Sequence, residues 1–337
     1  MNSQHSVVEM TDPINTTRSL DPATGSKCTR RNCLRSIAGG LACLPVISPF
    51  PLLAEDPSEA AENAVVVDTH LHCFAGAGET RFPYHPRAPY QPQAKATPEH
   101  LLSCMDGAGV DFAIVVHPEP YQDDHRYLEH CLDVGGDRLK GTCLFFADRP
   151  GLSTGMRSLL ERNAGRIVAA RVHAYAPGRL PPFGSRELHE LWRTATDLGL
   201  AVQLHFEPRY APGFEPLIRK FTQTTVIIDH MGRPMQGTPE EHNVVVRWSR
   251  FPNTIMKVSS LPDQNKYPHR DVAPVIRKLT DAYGAERMIY GGGFGATATP
   301  ASYRAYRRRV EDLLDHLTAD ERTKILGENA AKLFRFA

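Results

Sequence analysis

An excess of one charge is missing from this chain of 337 residues: 39 Lys+Arg face 38 Asp+Glu, a formal net charge of +1. So even a balance excludes an electrostatic nucleic-acid binder. The one basic run, Arg304 with Arg307, Arg308 and Arg309, reads as the solvated face of a helix. Long hydrophobic runs are missing too. The most apolar early stretch, SIAGGLACLPVISPFPLLA, is interrupted by Pro45, Pro49 and Pro51, and its unbroken part falls far short of the roughly 20 residues of a membrane helix. No stable membrane span is expected. The seven cysteines form no CxxC pair and no zinc-ribbon spacing. Cys73, Cys104, Cys131 and Cys143 therefore read as small buried hydrophobes. No glycine-rich phosphate fingerprint follows any early strand, which counts against a dinucleotide-binding doubly wound sheet.

What is present divides the chain in two. Residues 1–27 are polar and rich in Ser, Thr and Asn, the composition of a disordered segment. TRRNCLR then places Arg30 and Arg31 ahead of the short apolar stretch, resembling a twin-arginine export signal. Cleavage near Ala54 and a periplasmic location follow; the alternative is a basic leader on a cytoplasmic enzyme. The expected organisation is a disordered leader over 1–54 and a single domain over 64–337.

That domain has a strand–helix rhythm. AVVVD (64–68), FAIVVH (112–117), GTCLFF (141–146), IVAARVH (167–173), LAVQLH (200–205), TVIIDH (225–230), TIMKVSS (254–260) and RMIYG (287–291) are near-continuous β-rich runs, the pattern of strands buried on both faces of a parallel sheet. Helices with readable ends lie between them. Thr97-Pro98 starts one and Gly109 stops it; Leu188, Leu191, Trp192, Ala195 and Leu198 form a face before Gly199. Tyr303, Tyr306, Val310, Leu313, Leu314 and Leu317 repeat the spacing after the last strand. The expected fold is α/β, a (β/α)₈ TIM barrel in one domain. The long, Pro- and Tyr-rich segment 74–97 follows the first strand and would cover the barrel mouth as a lid.

In such barrels chemistry sits at the carboxyl ends of the strands. His70 and His72 lie two apart in DTHLH, so both side chains leave the strand in one direction and suit a divalent metal, with Asp68 as an orienting neighbour. His117 ends strand two, Arg171 and His173 end strand four, His205 ends strand five and His230 ends strand six. An isolated histidine is usually a packed or surface residue. Recurrence at the same strand terminus is what packing alone explains poorly.

VVDTHLH, QLHFEP, IIDHMGRP and the terminal ILGENAAKLF together resemble the amidohydrolase superfamily, in particular its "amidohydrolase 2" branch of lactonases and related barrel hydrolases and decarboxylases. The resemblance implies a metal pair at His70 and His72, with His205 and His230 as the strand-five and strand-six histidines and catalytic groups. Strand four carries neither lysine nor glutamate to bridge two metals, so the resemblance implies one divalent ion, zinc foremost, or metal-free action. Arg171, His173 and His117 are the expected substrate-binding groups; for Arg171 a structural salt bridge at the barrel rim is the equal alternative.

One member of the pattern is gone. The family ends its last strand with glycine, a small residue and an aspartate that shuttles the reacting proton; in RMIYGGGFG that position is Gly293. A positioned base is worth typically about 10²–10⁴-fold, so a substitute is needed: Glu207, two residues past His205, or Glu119, two past His117. Asp229 reads as a structural hydrogen-bonding group. The expected function is a lactonase-like hydrolase acting on a small cyclic ester or carboxylated substrate. The alternatives are a decarboxylase-like carbon–carbon lyase and a catalytically degenerate barrel that binds a small ligand. Substrate identity and oligomeric state are not legible.

Overall fold

Eight parallel strands pair in chain order, each with the next, in the computed structural model, which describes residues 64–175, 180–263 and 270–336. The expected leader lies outside the described residues. The strands are β1 (Val67–Leu71), β2 (Phe112–Val116), β3 (Leu139–Leu144), β4 (Ile167–Ala174), β5 (Ala201–Phe206), β6 (Val226–Ile228), β7 (Thr254–Val258) and β8 (Met288–Tyr290). Between and after them run α1 (Pro98–Ala108), α2 (Arg126–Gly135), α3 (Leu152–Arg162), α4 (Arg186–Asp197), α5 (Ala211–Lys220), α6 (Pro239–Arg247), α7 (Ala273–Tyr283), α8 (Pro300–Leu313), α9 (Ala319–Thr323) and α10 (Asn329–Phe334). This is the (β/α)₈ barrel expected from the rhythm of the sequence.

Period-two alternation sorts each strand into two faces. Ala113, Val115, Cys143, Ala170, Val172, Val202, Leu204, Met256, Val258 and Met288 pack outward against the helices. Val67, Ile114, Ala169, Ala201, Ile227 and Ile289 meet inside the barrel, and Ala330 and Phe334 of α10 pack against them. Asn329 anchors this tail by donating to the carbonyls of Ala285 (2.8 Å) and Met288 (2.9 Å).

Side chains seal the seam between β8 and β1. The Thr69 hydroxyl donates to the Tyr290 carbonyl (2.6 Å), and Asp68 accepts from Gly292 N–H (2.7 Å) and from the Tyr303 hydroxyl of α8 (2.5 Å). Asp68 thus faces outward, and its Oδ1 also accepts from His70 N–H (2.8 Å), so it holds the His70 backbone from outside the barrel.

The helix signals hold locally. Thr97 caps α1 by accepting from His100 N–H, and Gly109 ends it in the left-handed conformation (φ 69°). The basic run of α8 is solvated at Arg304 and Arg308, as expected, and is also bonded to the neighbouring loops. Arg307 donates to the Gly109 carbonyl (2.7 Å), Arg304 to that of Gly107 and Arg309 to that of Pro262. Two of these arginines therefore serve the carbonyl end of α1, where cations are favoured. The segment after β1 is tied down at several points: Phe74 pairs with Ala96, Ala75 N–H donates to the Tyr121 hydroxyl (2.8 Å) and His85 N–H to the Pro120 carbonyl (2.8 Å).

Candidate active site

Above the apolar floor the barrel interior turns polar, and its hub is Asp229, wholly buried just past β6. Arg171 reaches Oδ2 through Nη2 (3.0 Å) and Nε (3.1 Å), and Gln203 donates to the same oxygen (3.0 Å). Lys257 places Nζ 3.2 Å from Oδ1 and also donates to the Thr69 carbonyl (2.9 Å). His70 Nδ1 stands 3.4 Å from Oδ1. Burial opposes ionisation of Asp229, but Lys257, His70 and Arg171 outweigh it and hold its carboxyl well below the usual range. Burial also lowers Lys257.

Over this layer the imidazoles form an arc. Ring centroids are 5.2 Å apart for His72–His70, 4.4 Å for His70–His230, 5.0 Å for His230–His205 and 5.2 Å for His205–His173. Burial pushes all five below the usual histidine range, His70 to about 4, and nearby arginines add to the effect. They are neutral at neutral pH, the state in which imidazole accepts a proton or ligates a metal.

The backbone that delivers His230 is unusual. His230 (φ 55°), Met231 (φ 58°), Gly232 (φ 68°) and Arg233 (φ 54°) are consecutive left-handed residues, a conformation that costs roughly 1–2 kcal/mol per L-residue. Three contacts hold it. Arg233 N–H donates to the His230 carbonyl (2.8 Å), the His242 ring hydrogen-bonds the Met231 carbonyl (2.7 Å), and the Ser259 hydroxyl meets His230 Nδ1 (2.8 Å). The turn brings Arg233 back over the mouth, where it donates to His205 Nε2.

The glycines after β8 have separate reasons. A Cβ on Gly291 would lie 2.7 Å from His70 N and 2.8 Å from His70 Cβ, so side-chain absence makes room for His70. At Gly293 (φ 105°) a Cβ would lie 2.9 Å from Cβ and Cγ of Tyr306. Position 293 therefore faces α8 and not the arc of rings.

The structure brings His70, His72, His173, His205 and His230 to one place, with two qualifications on the metal pair. His72 is fixed by a bond from Nδ1 to the Val116 carbonyl (2.7 Å). Among the described residues, the donor atoms close enough to share an ion, all within 4.8 Å of one another, belong to His70, Asp229 and His230. Two imidazoles and a carboxylate have the composition of a divalent-metal site with open positions.

Arg171 lies within the barrel and not at its rim; it is 3% exposed, with its fork turned to Asp229 and not to the mouth. His117 is 0% exposed, bonded through Nε2 to the Gln122 carbonyl (2.9 Å) and tilted against His125, so it supports the loop after β2. Its parity explains this: Ile114 points inward, so the odd-numbered neighbours point out. Glu207 pairs with Arg209 (2.6 Å) at the turn that ends β5. Glu119 is buried and stands 2.9 Å from His173 Nδ1. Sequence reasoning missed Lys257, Arg233 and Tyr175. A lysine inside the apolar run TIMKV was a usable signal for Lys257; the other two owe their places to a turn and a strand extension that carry no such mark.

A parallel eight-stranded barrel with histidines from β1, β4, β5 and β6 gathered at its carboxyl-terminal mouth has the layout of a barrel enzyme, whose chemistry sits at the strand ends. The chain belongs to the amidohydrolase family, whose profile matches residues 67–336. It is 26% identical over 258 residues to the L-fucono-1,5-lactonase of Burkholderia ambifaria, covering 71% of this chain and 84% of the relative. It is 25% identical over 293 residues to the 2-pyrone-4,6-dicarboxylate hydrolase of Comamonas testosteroni, covering 80% and 90%. Among solved structures, an amidohydrolase from Burkholderia multivorans with bound zinc superposes with a TM-score of 0.66 at 15% identity, covering 81% of this chain and 100% of the other. The protein is an enzyme, a hydrolase.

Proposed function

We propose that the protein hydrolyses a small lactone that carries a carboxylate. The observation behind this reading is Arg233: a guanidinium turned into the mouth against neutral His205, with no carboxylate at ion-pair distance among the described residues. A planar, permanently charged group so placed suits a substrate carboxylate. The two relatives, one named for a sugar lactone and one for a pyrone dicarboxylate, support the lactone part.

The proposal extends to the cofactor. His70, Asp229 and His230 would hold one divalent ion, zinc foremost, which would polarise the lactone carbonyl or lower the pKa of a water. Lys257 and Arg171 already neutralise Asp229, so the same site is also electrostatically complete without an ion. Turnover of sugar 1,5-lactones and of 2-pyrone-4,6-dicarboxylate by the purified chain, with and without a chelator and with zinc restored, tests both parts. Hydrolysis of none of them under any of these conditions ends the reading. We further propose export through the twin arginine; lysine at Arg30 and Arg31 should then retain the protein in the cytosolic fraction.

A further inference from the structure

Hydrolysis needs an acceptor for the proton of the attacking water, and Gly293 supplies none. The hydrogen bonds around the mouth fix where the imidazole lone pairs lie. Arg233 can only donate, so His205 Nε2 is an acceptor whose lone pair is used. His205 then carries its proton on Nδ1, which faces the Tyr175 oxygen at 3.4 Å. The Tyr175 hydroxyl in turn donates to Glu119 Oε2 (3.2 Å). The other carboxylate oxygen, Oε1, lies 2.9 Å from His173 Nδ1. His173 Nδ1 also meets the Tyr175 oxygen (3.3 Å), whose proton is directed to Glu119. Both neighbours of Nδ1 therefore present lone pairs to it, and the tautomer that fits them is Nδ1–H, with the lone pair on Nε2. That Nε2 is buried and has no hydrogen-bond partner among the described residues.

We propose that His173 is the general base of this site and Glu119 its positioning residue, in place of the missing strand-eight aspartate. The proposal rests on the hydrolase reading above. His173 is set apart from the other imidazoles by its carboxylate. His70 also has one, but Asp229 is more distant at 3.4 Å and is shared with Arg171, Lys257 and Gln203. A cavity of about 440 Å³ borders the pair, bounded by Glu119 and His173 together with Arg87, Phe145 and Arg149. Neutral His173 suits the role, since burial and Arg171 keep it unprotonated at neutral pH.

The step balances. His173 Nε2 takes a proton from water as the water oxygen bonds to the lactone carbonyl carbon. The carbonyl π electrons move to oxygen, then return as the ring C–O bond breaks. The proton on Nε2 passes to the departing oxygen, giving the open hydroxy acid and regenerating neutral His173. Throughout, Glu119 accepts the Nδ1–H bond and stabilises the transient imidazolium, as the aspartate does in a Ser-His-Asp triad.

The test uses the full chain and whichever lactone of the panel it turns over fastest. For His173→Gln we expect kcat to fall by about 10²–10⁴-fold with KM changed by less than about threefold. Glu119→Gln should also lower kcat, and Glu119→Asp should restore part of the loss. Nitrogen-15 NMR of the imidazoles gives a readout independent of turnover: His173 should be the Nδ1–H tautomer in the wild type and should lose that preference in Glu119→Gln. A wild type with Nε2–H at His173, or a folded His173→Gln variant with kcat intact, overturns the dyad alone. A wild type inactive on every lactone overturns the hydrolase reading and the role of base with it.

Discussion

Lys257 and Asp229 face each other inside the barrel, Nζ 3.2 Å from Oδ1, at 1% and 0% side-chain exposure. Neither residue touches bulk water, and the Arg171 guanidinium completes the carboxylate from the other side. Breaking such a pair from one end leaves a charge buried without full compensation, which costs about 3–5 kcal/mol. Lys257→Met should therefore lower unfolding free energy by about that amount in urea titration. Combining it with Asp229→Asn should cost less than the sum of the two single changes, because Asp229→Asn then strands Arg171 alone and no longer Lys257 as well. Strict additivity would mean that the pair carries no coupling.

Gly293 invites an attempt to restore the missing carboxylate, and the geometry predicts that it fails. The backbone there is at φ 105°, and a Cβ would lie 2.9 Å from Cβ and Cγ of Tyr306. Strain of this kind costs about 1–3 kcal/mol. Gly293→Asp should lower the melting temperature and leave kcat no higher than in the wild type. A stable variant with raised kcat would show that the loop can turn the new side chain toward the rings.

Much of this architecture was legible because it depends on local periodicity. Apolar runs marked the strands, Thr97-Pro98 and Gly109 marked α1, and five of the strand-end histidines lie together in the arc. What could not be read depends on which way a residue faces. The sequence leaves Arg171 open between substrate and salt bridge, because its Asp229 partner is 58 residues away and the pair lies below the mouth. His117 follows an outward-facing parity that its position at a strand end concealed. The left-handed turn from His230 to Arg233 has no composition signature beyond one glycine, yet it alone brings Arg233 to His205.

The imidazoles also predict how stability varies with pH. Burial lowers His70 from 6.5 to about 4, so between those values the unfolded chain binds the proton that the folded chain refuses. Stability is full above pH 6.5 and is lost as pH falls toward 4, on the order of 3 kcal/mol from His70 alone. His72, His173, His205 and His230 shift in the same direction. Asp68 opposes them: burial raises it to about 6, so its contribution is greatest below 3.8 and fades as pH rises through 6. Five groups outweigh one. The melting temperature should drop steadily from pH 7 to pH 4.5, with net proton uptake on unfolding; a flat profile would contradict the burial of the rings.

Arg233 separates binding from chemistry. It donates to His205 Nε2 and has no carboxylate at ion-pair distance among the described residues, so its remaining donors are available to an anionic substrate. Arg233→Met should raise KM for a carboxylated lactone by about 10–100-fold, the equivalent of one charge-assisted hydrogen bond or slightly more. KM for a neutral lactone should change much less. Arg233→Lys should fall between, since an ammonium keeps the charge but loses the planar fork. The substitution also frees the His205 lone pair, so kcat serves as the control. An equal KM rise for charged and neutral lactones would assign Arg233 to holding His205 in place, and would remove the observation on which the carboxylate specificity rests.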